Sequence, residues 1–189
     1  SKVQSIKVIG NQEIDSQDIL NNISVNEKSW ALFVNTDKLE KEIKKIPLIK
    51  KVQVSKDILG NITIEVQEAA KVAYCVIDKT TYVIDELGNV TETQDQEVIQ
   101  SLLSCPRISQ FKDVDFLKKF AKEYVKIPEI IKSQTSDIIY AAKKADEERL
   151  KFVMDNGKIL YLRVDQMVEQ LELFDYEANM TEYHDYCEF

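Results

Sequence analysis

Few residues of this 189-residue chain belong to the types that usually carry chemistry. The sequence has a single histidine, His184, and three widely spaced cysteines, Cys75, Cys105 and Cys187. No Cys-x-x-Cys pair occurs, and ligand spacing of that kind is what marks a zinc site, so we expect no metal. Buried structural thiols are the preferred interpretation, and a Cys75–Cys105 disulfide remains open if the chain works outside the cell.

The sequence also lacks a convincing catalytic group. Asp146-Glu147-Glu148 places three acids side by side, and adjacent acids do not converge on one reacting atom. A serine or cysteine nucleophile needs a base, and His184 near the end of the chain is a poor candidate. The four glycines form no phosphate-binding loop. We therefore expect no enzymatic activity, no cofactor and no small-molecule substrate.

The net charge of −8 comes from the end of the chain. Residues 165–189 contain eight acidic residues and no Lys or Arg, whereas residues 1–70 contain ten lysines and ten acids. Such an acidic segment is repelled by nucleic acid and by anionic lipid, and it could attract a basic protein surface. It could equally be a solvated helix face with a charged terminus. We expect no nucleic-acid partner.

The remaining composition is that of a folded chain without a membrane span. Hydrophobic residues make up 44% of the sequence, which is enough for a core. No run of eighteen apolar residues exists, so we expect no transmembrane helix in this chain. The sequence opens directly on a strand residue, so we expect no signal peptide either.

Residues 3–66 combine one alternating strand, two short helices and a hairpin of two alternating strands. Ile6 and Val8 lie on one face of the first strand. Asp15 and Asn35 are good helix N-caps, because their side chains can accept a hydrogen bond from an unpaired backbone N–H. A β-α-α-β-β unit of this size must cover one face of a three-stranded sheet with its two helices.

The second region, residues 71–189, predicts a β-rich mixed domain, so the chain as a whole is α+β with domains at 1–70 and 71–189. Asp155-Asn156-Gly157-Lys158 is a strong hairpin turn, since Asn-Gly suits a primed turn. A last helix is predicted from Met167 to Phe174, with Asp165 as its N-cap. The other predicted elements are strands at Val72–Asp78, Tyr82–Asp85, Ile138–Tyr140, Leu150–Met154 and Ile159–Val164, and a helix at Val114–Ile127 that Pro128 ends.

Together these patterns resemble the FtsQ/DivIB family of bacterial division proteins, in which a POTRA domain is followed by a β-rich domain. In the second region the resemblance rests on Tyr82-Val83-Ile84-Asp85-x-x-Gly88, the Asp155-Asn156-Gly157 turn and the helix after it. The POTRA-like residues are Val3-x-x-Ile6-x-Val8-x-Gly10-Asn11, Asn35-x-x-x-Leu39-x-x-x-Ile43-x-x-Ile46-Pro47-x-Ile49-x-x-Val52-x-Val54 and Ile62-x-Ile64-x-Val66-x-Glu68.

The resemblance implies a non-catalytic scaffold at the division septum. A member of the family has one N-terminal membrane helix, which lies outside this chain, and the part that corresponds to this chain is extracytoplasmic. Its expected partners are the coiled-coil division proteins FtsL and FtsB (DivIC in Gram-positive bacteria). POTRA units also occur in secretion and outer-membrane assembly pores, so a chaperone module for protein translocation or outer-membrane assembly is the alternative.

Two sheet edges are candidates for binding such partners, because an exposed edge offers unpaired N–H and C=O groups. One is the strand from Ile49 to Val54, with Lys50, Lys51 and Val52. The other is the C-terminal strand from Tyr183 to Phe189, where the family's partner-binding strand lies. We predict that Tyr183, Tyr186 and Phe189 anchor the partner there. These aromatics could instead be core residues, and the two lysines could simply protect the edge from aggregation.

Overall fold

The computed structural model describes residues 1–180 and 185–189. The chain forms two units, Ser1–Ala69 and Ala70–Phe189. Each unit has its own hydrophobic core, so each is described by itself.

The first unit confirms the predicted β-α-α-β-β order and the three-stranded sheet. In the described part of this unit the sheet has the order β1-β3-β2, with β1 parallel and β2 antiparallel to the central strand. A short 3-10 turn, Ala31–Phe33, precedes the second helix. The elements are β1 (Ser5–Ile9), α1 (Ser16–Asn21), α2 (Thr36–Lys44), β2 (Ile49–Lys56) and β3 (Asn61–Glu68).

The two helices of this unit differ at their N-termini: α2 has a side-chain cap and α1 has none. The Asn35 side chain accepts a hydrogen bond from the Lys38 N–H at 3.1 Å, as its residue type predicts. Asp15 occupies the N-cap position of α1, but its side chain makes no capping bond, contrary to the prediction. Glu13 and Ile14, which precede this N-cap, donate their backbone N–H groups to the Glu68 carboxylate of β3, at 2.9 Å and 2.7 Å.

The second unit is a mixed sheet with helices, in agreement with the predicted β-rich domain. Counting only strands in the described ranges, it is an eight-stranded sheet of order β11-β10-β9-β8-β7-β4-β5-β6. Its strands are β4 (Lys71–Ile77), β5 (Thr80–Asp85), β6 (Val90–Thr93), β7 (Arg107–Ser109), β8 (Thr135–Tyr140), β9 (Arg149–Met154), β10 (Ile159–Arg163) and β11 (Tyr186–Glu188). Its helices are α3 (Gln96–Ser101), α4 (Val114–Tyr124), α5 (Glu129–Ser133), α6 (Met167–Glu172) and α7 (Tyr176–Met180).

Helix α4 and the sheet share one aromatic core. Phe120 and Tyr124 of α4 stack with ring centroids 5.2 Å apart, and both lie 6.4 Å from the ring of Phe152 on β9. All three are essentially inaccessible to solvent. This core fixes the central strands, and β9 and β10 then carry the outer strand β11.

Two details of the predicted helices were wrong. Helix α4 ends at Tyr124, before the predicted end at Ile127, because the next N–H groups bond three residues back, Lys126 to Glu123 and Ile127 to Tyr124. The N-cap of α6 is Gln166 and not Asp165, whose carboxylate instead lies 3.4 Å from Nε of Arg163. None of the helices in the described ranges has the length and apolarity that a bilayer crossing requires.

Candidate functional site

The outermost strand β11 of the second unit pairs with only one neighbour among the described residues. It runs parallel to β10, with Tyr186 opposite Ile159 and Glu188 opposite Tyr161. The Ile159 N–H donates to the Asp185 carbonyl at 3.0 Å, and the Phe189 N–H donates to the Tyr161 carbonyl at 3.3 Å.

The register of β11 decides which of its backbone groups are open. In a parallel ladder every second residue bonds to the neighbouring strand, so the bonds at Asp185 and Phe189 make Cys187 the residue that faces β10. The N–H and C=O groups of Tyr186 and Glu188 therefore point away from the sheet. This edge offers two donors and two acceptors to a further strand.

The side chains of β11 alternate between the core and the solvent. Cys187 is half-buried and packs on the core of the unit. Tyr186 is 60% exposed, and its ring meets that of Tyr161 edge-on at 6.3 Å. Phe189, just after the strand, is 38% exposed and packs edge-on against Phe174 at 5.0 Å. Tyr186 and Phe189, the two of the three predicted aromatic anchors that the structure describes, thus keep an accessible surface while their rings pack on a second ring.

An ionic cluster holds β11 in place. The Glu188 carboxylate accepts hydrogen bonds from Nζ of Lys143 at 2.9 Å and from the guanidinium of Arg149 at 2.8 Å. These bonds, that from Lys143 first, hold the pKa of Glu188 below its usual value. Arg149 is largely buried, lies 4.2 Å above the Tyr161 ring and donates from Nε to the Ala141 carbonyl at 2.9 Å.

The cluster and the strand border a shallow groove of about 390 Å³. Its mixed walls offer an aromatic face, a cationic pair and a carboxylate to an incoming chain. Sequence reasoning missed Lys143 and Arg149, because their pairing with Glu188 joins residues about forty positions apart. The lining residues are Lys143, Arg149, Ile159, Tyr161, Asp185, Tyr186 and Glu188.

The other predicted edge, β2 of the first unit, has a single neighbouring strand within the described residues, but α2 occupies part of it. Val54 donates its N–H to the Glu40 carboxylate at 2.9 Å, and Lys44 donates to the Lys50 carbonyl. Since Val54 faces outward and the ladder alternates, the backbone groups of Val52 also face outward. The Lys51 side chain is exposed.

This edge borders a groove of about 710 Å³ between α2 and the strands β2 and β3. Its walls carry both charges, with Asp37 and Glu40 facing Lys41, Lys44 and Lys51. Lys51 and Val52 line the groove, so the structure brings these two predicted residues together. Lys50 takes part through its backbone carbonyl oxygen, which accepts a hydrogen bond from Lys44 of the groove wall.

The remaining predicted residues lie elsewhere. Tyr183 and His184 fall outside the described residues. The three acidic residues 146–148 have separate partners. Asp146 lies 3.6 Å from Arg163, and Glu148 pairs with Lys119. The backbone carbonyl of Glu147 accepts a hydrogen bond from the Tyr140 hydroxyl.

The thiols do not form a reactive site in the described ranges. Cys75 is buried, and this burial raises the pKa of its thiol to about 11, so it is a poor nucleophile. No disulfide joins Cys75 to Cys105 in the part of the chain that is described. In that part, no group of three or more His, Cys, Asp or Glu side chains could hold a metal ion.

Comparison with known proteins places this geometry in context. Residues 1–69 match the model of the POTRA domain, FtsQ-type. The chain is 28% identical to the cell division protein DivIB of Pediococcus pentosaceus over 96% of its length and 50% of that protein's. It is 25% identical to DivIB of Bacillus subtilis over 92% of its length and 65% of that protein's.

A solved structure, the major extracytoplasmic domain of the trans isomer of DivIB from Geobacillus stearothermophilus, is 19% identical with a TM-score of 0.46. That comparison covers 59% of this chain and 92% of the solved one. The chain spans about half to two thirds of the length of the curated relatives that it matches. The start of the chain thus matches an FtsQ-type POTRA domain, and nearly its whole length is similar to DivIB cell division proteins.

Proposed function

We propose that this chain is the extracytoplasmic, non-catalytic scaffold part of a division protein that a single N-terminal helix anchors in the cell membrane at the septum. It binds partner division proteins of the FtsB/DivIC and FtsL type by adding one of their segments to the sheet at β11. The observation that carries the proposal is the open backbone edge of Tyr186 and Glu188.

The chemistry of the edge supports strand addition over other modes of binding. The two outward N–H groups and two outward C=O groups supply the main-chain bonds that give such complexes their affinity. Tyr186 and Phe189 each rest on a second ring, so little side-chain freedom is lost when a partner covers them. The acids of residues 165–189 favour partner segments with basic side chains around the contact.

The edge of β2 is the secondary part of the proposal. Glu40 and Lys44 already bond the Val54 N–H and the Lys50 carbonyl, so the open stretch is reduced to the groups at Val52. We therefore assign to Lys50, Lys51 and Val52 a flanking contact with a partner, made in the groove beside α2. Tyr183 remains part of the proposed anchor of the C-terminal edge.

Amide hydrogen exchange tests the proposed edge at single residues. Peptides covering the extracytoplasmic segments of candidate partners are titrated into residues 1–189, and exchange is followed by NMR. We expect the Tyr186 and Glu188 amides to gain severalfold protection at saturation. The Cys187 amide, which already faces β10, is the internal control and should change much less.

Two variants separate the contact from the fold. Tyr186→Ala keeps the backbone edge and should weaken binding about tenfold, the usual effect of losing one aromatic anchor. Removal of residues 180–189 should abolish it. A peptide that binds with full affinity to the shortened chain would exclude the C-terminal edge. Weak binding of many unrelated unfolded peptides, without preference for division partners, would favour the chaperone alternative.

A further inference from the structure

Five large apolar side chains are exposed at one end of the first unit. They come from the 3-10 turn before α2 and from the hairpin tip between β2 and β3. This group, called here the loop-tip patch, consists of Trp30 (57% exposed), Leu32 (79%), Phe33 (80%), Ile58 (97%) and Leu59 (65%). Exposed large apolar residues are ordinary when scattered, but a cluster of five on two adjacent loops is unusual for a soluble surface.

The two loops are fixed against each other. Nζ of Lys56, at the end of β2, lies 3.2 Å from the Ala31 carbonyl and 2.9 Å from the Val34 carbonyl. A Cβ atom placed on Gly60 would lie 3.4 Å from Cβ of Ala31, so the hairpin tip touches the turn. The loop-tip patch is therefore one built surface.

The start of the chain joins the same end of the unit. The Ala31 N–H donates to the Ser1 carbonyl at 3.0 Å, the Val3 N–H donates to the Ser29 carbonyl at 2.9 Å, and Lys2 bridges to Trp30. Under the proposed function, a membrane anchor precedes residue 1, so the chain leaves its anchor beside the loop-tip patch.

The surroundings of the patch favour lipid over a protein partner. All five side chains are exposed on two turns at the end of the unit where the chain begins, and exposed apolar patches mark sites of contact with proteins or membranes. Exposed Lys2 and Lys28 flank it, at positions suited to anionic head groups. The patch combines Trp with Leu, Ile and Phe, which are side chains that bind at the interface between the head groups and acyl chains of membranes.

We propose that the loop-tip patch inserts shallowly into the anionic phospholipid interface of the membrane that carries the proposed anchor. The inference rests on the proposed function only for the position of that anchor. The loop-tip patch gives the first unit a second, non-covalent contact with the bilayer, in addition to the proposed anchor.

Trp30 is the sole tryptophan of the chain, so its fluorescence reports on this patch alone. The chain is tethered by an N-terminal histidine tag to vesicles of phosphatidylglycerol, phosphatidylcholine and a nickel-chelating lipid, with or without brominated acyl chains. We expect a blue shift of the emission and strong quenching by the brominated lipid. A C-terminal tag on the same vesicles is the matched control and should give severalfold weaker quenching.

Variants define the surface. Ile58→Ser with Leu59→Ser should remove most of the quenching while circular dichroism stays unchanged, because both residues are solvent-facing. Leu103→Ser and Leu173→Ser, exposed residues of the second unit, are the matched controls and should leave quenching intact.

Three results would overturn the inference: no quenching under the N-terminal tether, equal quenching under both tethers, or a blue shift that follows protein concentration without lipid. The last would assign the patch to a second copy of the chain. Partner-peptide titration of the Ile58→Ser/Leu59→Ser variant distinguishes the two proposals. If the variant binds the peptide as the wild type does but shows no quenching, both proposals are upheld. If the wild-type chain binds no partner peptide, only the proposed function is contradicted.

Discussion

At the scale of one residue, Glu188 holds β11 in place through its side chain and leaves its own backbone groups available. Its carboxylate is bonded by Lys143 and Arg149, both of which lie beside β10, while its backbone groups stay directed outward. The Arg149 guanidinium is in turn fixed by the Ala141 carbonyl and the Tyr161 ring. A planar guanidinium presents five N–H donors in a rigid fork and stacks on aromatic rings, so it can make all three contacts at once.

The ionic cluster predicts a pH dependence of stability. Because the pKa of Glu188 is lowered in the folded chain, its contribution is fully present above the ordinary value of 4.5 and is lost as the pH falls through the lowered pKa. The difference in free energy of unfolding between the wild type and Glu188→Gln, measured in urea, should therefore shrink on acidification. A difference that does not change on acidification would contradict the cluster.

Gly10 and Gly157 form a matched pair for backbone geometry. Both have positive φ, +88° and +83°, which favours glycine. A Cβ on Gly10 would lie 2.1 Å from the Val66 carbonyl oxygen, whereas a Cβ on Gly157 meets nothing within 4 Å. We expect Gly157→Ala to lower the free energy of unfolding by about 1 kcal/mol and Gly10→Ala by about 3 kcal/mol or more. Equal losses would show that the close approach to β3 does not matter.

At the scale of elements, the sheet edges at β2 and β11 differ in how far side chains cover their backbone groups. Strand β2 is partly covered by side chains of its own neighbour, α2, which bond the groups that a foreign strand would use. Strand β11 has no such cover among the described residues: its backbone pairs with β10 on one side, and Lys143 and Arg149 hold its Glu188 side chain. Covering an edge with charged side chains is a common protection against unwanted pairing, so the uncovered edge is the one we assign to a partner.

Removing the cover should open β2. Glu40→Ala leaves the Val54 N–H without its acceptor, so we expect a loss of about 1–2 kcal/mol in the free energy of unfolding. Self-association, followed by sedimentation velocity, should increase because the edge is freed. Glu40→Gln keeps an acceptor oxygen and is the control. If both variants stay as monomeric as the wild type, the carboxylate is not protecting this edge.

At the scale of the whole molecule, each unit has its own core, and the two proposed contacts lie in different units. The apolar core of the first unit contains Ile19, Leu39, Ile43, Ile62 and Ile64, all almost fully buried. The loop-tip patch belongs to that unit, whereas β11 belongs to the second. The two activities should therefore be separable.

Fragments 1–69 and 70–189 test this separation. We expect both to fold, each with a cooperative denaturant transition, and partner peptides to bind 70–189 with most of the affinity of the whole chain. Fragment 1–69 should show no more than a weak flanking contact. Peptide binding that requires both fragments in one chain would contradict a partner site centred on β11.

The sequence alone determined the local features of this protein. Alternating apolar residues, helix-capping residues and glycine turns specify the elements of the first unit, because these signals act between residues a few positions apart. Asn35 caps α2, and the Asp155–Lys158 turn joins β9 to β10, as their residue types predict. The family resemblance rested on the spacing of these same signals, and the comparisons confirm it.

Only the tertiary structure decided which groups meet across long stretches of chain. No local pattern relates Glu188 to Lys143 and Arg149, since their contact exists only once β8, β9, β10 and β11 lie side by side. The cap of α6 fails for a local reason instead, because the Asp165 carboxylate lies beside the guanidinium of Arg163, two residues earlier. The openness of β11 and the partial cover of β2 depend on strand order and register, which chain folding sets globally.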